Sequence, residues 1–142
     1  MTFSWFSRSF EVPPDWSGKR ILLSFAAVDY EATVFVDGQQ VAFHRGGYFA
    51  FNADITDFVS AEESHELLVF VHDPTDLDPY VIPIGKQTLS PSHIFYTPCS
   101  GIWQQVWMEA APSDHITRLD LTADMEGQGK LVQRKTPFEA PG

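Results

Sequence analysis

The sequence predicts an all-β protein, an antiparallel β-sandwich. Three observations carry this reading. Apolar and polar residues alternate in roughly seven or eight short runs, the period-2 signature of half-buried strands. Clusters of turn-forming residues separate these runs at regular spacing. No stretch carries the 3.6-residue repeat of a helix of ordinary length. Composition agrees, since aromatic residues make up 14% of the chain with phenylalanine alone at 12, a bias that suits pleated surfaces.

Each element follows in order. Residues 5–12 alternate and stop at Pro13-Pro14, because proline cannot donate to a ladder. Asp15-Trp16-Ser17-Gly18 is a turn cluster. Residues 19–28 form a strand with Ile21, Leu23, Phe25 and Ala27 on one face. Ala32, Val34 and Val36 continue the pattern in the next strand, which runs into Asp37-Gly38, a two-residue hairpin signal, and returns over residues 40–43. His44-Arg45-Gly46-Gly47 is a loop, and Phe49, Phe51 and Ala53 mark another strand. Residues 54–59 suit one helical turn with Asp54 as its cap.

Residues 66–73 form a strand ended by Pro74. Five prolines in residues 74–99 predict a long ordered loop with a short strand near 80–84. Residues 100–109, Ser-Gly-Ile-Trp-Gln-Gln-Val-Trp-Met-Glu, predict one strand with Trp103 and Trp107 together on one face as filling of the sandwich. Residues 115–123 give a further strand, and the Gly- and Gln-rich stretch from Glu126 predicts a frayed tail. The expected organisation is a sandwich domain over 1–112 and an appendix over 113–142.

Composition excludes several functions. The formal charge is −10, from 19 acidic and 9 basic residues, so nucleic acid and anionic membrane surfaces are repelled. No run approaches the ~18 apolar residues of a membrane span. The first residues lack the basic region and apolar core of a signal peptide. Cys99 stands alone, so no intramolecular disulfide forms.

Several segments, in order, resemble the N-terminal sugar-binding domain of the family-2 glycoside hydrolases, the β-galactosidase and β-glucuronidase family. Trp5-Phe6-Ser7-Arg8-Ser9-Phe10-Glu11-Val12-Pro13 is similar to the family's W-Y-R-R-x-F-x-V-P strand. Residues 18–25 through Val34-Phe35-Val36-Asp37-Gly38 resemble its central hairpin. His44-Arg45-Gly46-Gly47-Tyr48, Phe51 and Asp54-Ile55-Thr56 resemble H-x-G-G-Y-x-x-F-x-x-D-I-T, and Ser100-Gly101-Ile102-Trp103 resembles the closing S-G-I-W. The resemblance implies a jelly roll of the galactose-binding-like type. It also implies further strands before the Trp5 segment, then an immunoglobulin-like domain of which residues 114–132 resemble the first strand, then a barrel with two catalytic carboxylates. On that basis the chain is a fragment or a reduced stand-alone relative.

The candidate residues follow from both readings. A retaining glycosidase needs two carboxyls about 5–5.5 Å apart on a rigid frame. Glu62-Glu63 does not supply them, so no catalytic residue is assigned. Asp37 occupies the place where the family usually has Asn in its turn, a corner that approaches the substrate pocket in some members. His44 and Arg45 lie on a glycine-flanked loop, where functional side chains concentrate. Tyr96 offers an apolar face and a polar hydroxyl to a sugar ring. The resemblance also implies an Asp within residues 93–99, and none is present. Asp73, Asp76 and Asp78 have a calcium-loop look, but prolines and the lack of a glycine break that pattern. The five histidines show no metal-ligand spacing, and Cys99 reads as a buried inert thiol.

The expectation is therefore a non-catalytic carbohydrate-binding or scaffolding domain with no cofactor or metal. Its site would be formed by Asp37, His44, Arg45 and Tyr96. Its partners would be carbohydrate, bound weakly, a second copy of itself through an open sheet edge, and a glycosidase barrel in full-length relatives. A stand-alone binding module with an aromatic platform and a ligand-free structural domain are the alternatives.

Overall fold

The computed structural model describes residues 2–76 and 82–134. The strands are β1 (Thr2–Glu11), β2 (Arg20–Phe25), β3 (Val28–Asp29), β4 (Glu31–Val36), β5 (Gln39–Arg45), β6 (Phe51–Asp54), β7 (Ser64–Asp73), β8 (Gly101–Ile102), β9 (Val106–Ala111), β10 (Arg118–Ala123) and β11 (Gly129–Arg134). Two short 3-10 turns, Pro14–Trp16 and Thr56–Phe58, are the only helical pieces among the described residues. The chain divides into two compact units, Met1–Ala110 and Ala111–Gly142.

The first unit is an antiparallel β-sandwich. One sheet has the order β1-β7-β4-β5 and the other β6-β2-β9, with β3 and β8 forming a small separate pair. The inner faces are set by alternation. Ile21, Leu23 and Phe25 from β2, Ala32, Val34 and Val36 from β4, and Val69 and Val71 from β7 are buried in one cluster with Val12, Val28, Ala53 and Ile55. Each fully buried Val, Leu, Ile or Phe among them contributes about 1.5–3 kcal/mol. The β4–β5 turn places Asp37 at φ 48° and Gly38 at φ 78°, the two positive values a type I′ hairpin requires.

Asp54 shapes the turn that follows β6. Its Oδ1 accepts the Thr56 amide at 3.0 Å and the Thr56 hydroxyl at 2.5 Å. Its Oδ2 accepts Arg20 Nε at 2.7 Å, which joins this turn to β2. The Ile21 amide in turn donates to Thr56 Oγ1 at 2.8 Å.

The structure corrects several expectations. His44 and Arg45, expected in a loop, are the last residues of β5, and the helical turn starts at Thr56 with Ile55, not Asp54, at its cap position. Residues 100–109 are not one strand. β8 ends at Ile102, the chain bends through residues 103–105, and the Gln105 carbonyl accepts the Ala26 amide at 2.9 Å before β9 begins. The alternation that paired Trp103 with Trp107 is broken by that bend, and both indoles are more than 40% exposed. The tail is ordered through Arg134, because β11 pairs with β10 as a hairpin. Gly127 at φ 79° makes that turn, and Asp124 Oδ1 accepts the amides of Glu126 and Gln128. Finally, Cys99 is exposed. The strand predicted near 80–84 falls partly outside the described residues, and 82–84 are not in a strand.

Candidate sugar-binding site

The candidate site is built around Asp29. β3 pairs with β8, with Val28 opposite Ile102 and Asp29 opposite Gly101. Gly101 has φ 94°, and a Cβ there would meet the Phe6 ring at 2.7 Å, so only glycine allows this close approach. Ser100 donates its hydroxyl to Asp73 Oδ2 at the end of β7. Asp73 Oδ1 accepts both the amide (3.0 Å) and the hydroxyl (2.7 Å) of Thr75. The buried Asp73 carboxylate therefore fastens the start of β8 to the end of β7 with both oxygens occupied.

Asp29 differs. Its carboxylate is half-buried and receives no hydrogen bond from any described residue. Burial first, and the neighbouring Asp73 charge second, push its pKa up to about 6. Its Oδ1 lies where a Cβ on Gly47 would stand, 2.5 Å away, which accounts for the second glycine of the Gly46-Gly47 pair. The Gly47 carbonyl accepts Trp103 Nε1 at 2.8 Å. Tyr48 meets the Trp103 ring edge-on, with centroids 5.8 Å apart and planes at 70°. Gly46 donates its amide to the Tyr30 carbonyl at 2.9 Å.

The loop over 82–100 closes the other side. Gln87 and Tyr96 form an isolated bridge, with Thr88 donating to the Tyr96 carbonyl at 3.0 Å and Tyr96 to the Lys86 carbonyl at 2.8 Å. Asp76 Oδ2 takes the Thr88 hydroxyl and the Leu89 amide, and these bonds hold its carboxyl below the usual range. Together these segments enclose about 310 Å³ lined by Asp29, Tyr48, Gly85, Gln87, Tyr96, Thr97, Cys99 and Trp103. Aromatic walls and one carboxylate with free acceptor capacity suit a ring that is apolar on its faces and hydroxylated at its rim.

A larger cleft of about 560 Å³ lies between the inner faces of β1 and β7 and the β9 side, lined mainly by Phe6, Phe10, Leu23, Val69 and Met108. Its walls are mostly apolar, and Ser7, Arg8, Ser9 and Glu11 of β1 also lie on its lining.

The family profile described as "Glycosyl hydrolases family 2, sugar binding domain" matches residues 2–112. The chain belongs to this family. A β-glucuronidase of Paenibacillus borealis is 26% identical over 139 residues, which cover 90% of this chain and 23% of that protein. A β-galactosidase of Thermoanaerobacter pseudethanolicus is 27% identical over 122 residues, 85% of this chain and 15% of that protein. The solved β-D-glucuronidase of Dictyoglomus thermophilum has the same fold, with a TM-score of 0.72 at 22% identity over 94% of this chain and 25% of that one. The chain thus spans about a quarter or less of the length of these relatives, and what it matches is their sugar-binding domain.

In this family-2 domain, one of the four sequence-predicted site residues, Tyr96, lines the Asp29 cavity. Asp37 sits at the far end of β4 from Asp29, where its Oδ1 accepts the Glu66 amide at 2.7 Å and its Oδ2 lies 2.6 Å from His65 Nδ1. His44 stacks on Phe51 at 4.3 Å and bonds the Gly46 carbonyl through Nε2. Arg45 Nη2 pairs with Glu31 at 2.7 Å, and its guanidinium lies over Phe43. These three have partners inside the fold.

Asp29, Tyr48, Gln87 and Trp103 are residues of the candidate site that sequence reasoning missed. The available signal was Asp29 itself, an acidic residue directly after the apolar run 25–28 and before the next strand. The outer face of the four-stranded sheet also carries exposed aromatics. There Phe3 stacks on His72 (4.7 Å, 21°) and on Phe70 (5.6 Å, 14°). No cluster of metal-ligating side chains occurs among the described residues.

Proposed function

We propose that this chain is the sugar-contacting domain of a family-2 glycosidase and is not itself catalytic. Its Asp29 cavity would receive the hydroxyl-bearing edge of a pyranose, with Trp103, Tyr48 and Tyr96 against the ring. One observation carries the reading. The Asp29 carboxylate is half-buried, faces a cavity and accepts no hydrogen bond from the described residues. Neither Asp29 oxygen is a buried unpaired atom, so a bound hydroxyl would replace water there, and a hydrogen bond to a charged acceptor is worth about 1.5–3 kcal/mol net. Asp73 beside it has both oxygens bonded within the fold, so it does not serve as the second member of an acid–base pair. Substrate cleavage in the relatives named above is a property of much longer proteins.

The test is an NMR titration with methyl β-D-galactopyranoside that follows the Trp103 indole N–H. Saturable shifts at Trp103, weakened about tenfold or more in Asp29→Ala with the far-ultraviolet circular dichroism unchanged, are expected. Shifts confined to the Asp37 or His44 ends of the sheet, or none at all, would reject the site.

A further inference from the structure

We infer that the Asp29 cavity selects the neutral, hydroxylated edge of a sugar and rejects a carboxylate, so that this domain favours neutral pyranosides over uronic acids. The inference rests on the sugar-site reading above and adds a substrate class to it. It matters because relatives of this chain include both β-galactosidases and β-glucuronidases.

The argument is one of charge and donors. Recognising a uronate carboxylate takes a cation, above all the planar fork of arginine or the ammonium of lysine. The described lining of the cavity holds neither: its polar groups are the Gln87 amide, the Thr97, Tyr48 and Tyr96 hydroxyls, the Cys99 thiol and Asp29. Behind Asp29 stands a second carboxylate, Asp73 of β7, close enough to act on it electrostatically. A third carboxylate brought into this space would meet two negative groups in a partly dehydrated setting, within a chain whose net charge is already −10. A neutral sugar meets no such penalty, because its hydroxyls donate to Asp29. Lys86 lies between two lining residues on the loop over 82–100 but does not itself line the cavity.

The pH response separates the two ligand classes. The carboxyl facing the site is Asp29, with the buried Asp73 behind it, and the Tyr48, Tyr96 and Cys99 side chains face it from the loops after β5 and before β8. With its pKa raised to about 6, Asp29 is charged at about pH 7.5 and largely protonated at about pH 5. A uronate carboxylate is still ionised at about pH 5, so the repulsion it meets falls on acidification and its binding improves. A neutral sugar loses a charged acceptor over the same interval, so its binding weakens or holds.

The experiment titrates wild type and Asp29→Asn with methyl β-D-galactopyranoside and with methyl β-D-glucuronide, at about pH 7.5 and about pH 5, read at the Trp103 indole N–H. The galactoside is expected to bind roughly tenfold or more tightly than the glucuronide at the higher pH. The gap should narrow at the lower pH and shrink at both in Asp29→Asn. Equal binding of the two or tighter binding of the glucuronide would overturn the selectivity while the sugar site stands, and a gap that does not respond to pH in the wild type would overturn the charge of Asp29 as its cause. Absence of any shift with either ligand would remove the sugar site and the selectivity together.

Discussion

The β4–β5 and β10–β11 hairpins are alike as local objects and opposite in their surroundings. Both are antiparallel pairs closed by an aspartate–glycine type of turn, with Asp37-Gly38 in one and Asp124 to Gln128 around Gly127 in the other. In the first, Ala32, Val34 and Val36 are fully buried. In the second, Leu119, Leu121, Leu131 and Val132 are all more than 40% exposed. The turn chemistry and the alternation are sufficient to form a hairpin. Burial comes from a second layer, which the first unit possesses within itself and the described residues of the second unit do not supply. An isolated two-stranded hairpin is marginal in water, whereas three or more strands with a covered face are stable.

The largest test of this contrast is to thin the layer behind the first hairpin. Phe25 on β2 is fully buried in the cluster that holds Val34. Phe25→Ala is expected to cost about 3–5 kcal/mol, and Val34→Ala about 2 kcal/mol, both as shifts of the urea midpoint. A loss below about 1 kcal/mol for Phe25→Ala would mean that the two sheets do not depend on each other.

Two glycines sharpen the point at smaller scale. Gly18 and Gly101 both have positive φ, but a Cβ on Gly18 meets open space and one on Gly101 meets the Phe6 ring at 2.7 Å. Gly18→Ala should cost only the left-handed strain, about 1–2 kcal/mol. Gly101→Ala should cost about 1–3 kcal/mol more, because β1 or β8 must shift. Since Asp29 pairs opposite Gly101, the same change should also weaken sugar binding in the Trp103 titration. Equal losses for the two variants would show that Phe6 gives way freely.

These cases also show what was legible in the sequence. Strand alternation exposed most of the sandwich, because Ile21, Leu23, Phe25, Val34 and Val36 are buried at every second position, Ser24 being an added buried residue of β2. The bend at residues 103–105 was not legible, since a strand pattern does not record a backbone that leaves its sheet to meet Ala26. The site was hidden for a related reason. Asp29, Tyr48, Tyr96 and Trp103 come from four separate stretches of the chain, and only the sheet topology brings them together. Tyr96 was found because an aromatic alcohol in a proline-rich loop has no strand to serve. Asp37, His44 and Arg45 were singled out by loop chemistry, yet His44 and Arg45 end strand β5, and all three are bonded within the fold.

The Asp37 end of the first hairpin is fastened by a histidine–carboxylate pair, His65 Nδ1 to Asp37 Oδ2 at 2.6 Å. Burial disfavours the charged form of His65, but its bonds to Asp37 and to the Ser60 carbonyl outweigh that and leave its pKa raised. The Glu66 amide first, then His65, lower the pKa of Asp37. A raised histidine stabilises the fold fully below its unfolded value near 6.5, and that contribution is lost as pH rises through the folded value. The aspartate's share is present above about 3.9 and is lost as pH falls through its lowered value. The stability difference between wild type and His65→Gln should therefore be greatest near about pH 5–6 and shrink toward about pH 8. A difference that grows with pH across that interval would show that neutral His65 is the stabilising form.

The smallest effect is expected in the second hairpin, and it is the most direct probe of the contrast. Leu121 lies on β10 opposite Leu131 and is 71% exposed. Truncation to alanine removes more carbon than Val34→Ala, so by side-chain size alone it would be the costlier change. By burial it should be nearly silent, within about 0.5 kcal/mol, because the removed methyls were already in water. What remains is the cross-strand contact with Leu131, worth roughly 0.2–1 kcal/mol. A denaturation series that includes Val34→Ala, Leu121→Ala and the Leu121→Ala/Leu131→Ala double variant sets size against burial in one protein. If Leu121→Ala costs as much as Val34→Ala, the apolar face of β10–β11 has a covering layer of its own in solution. If the cost is small and the double variant is additive, the two leucines act independently and the hairpin is held by its backbone ladder and its Asp124 turn.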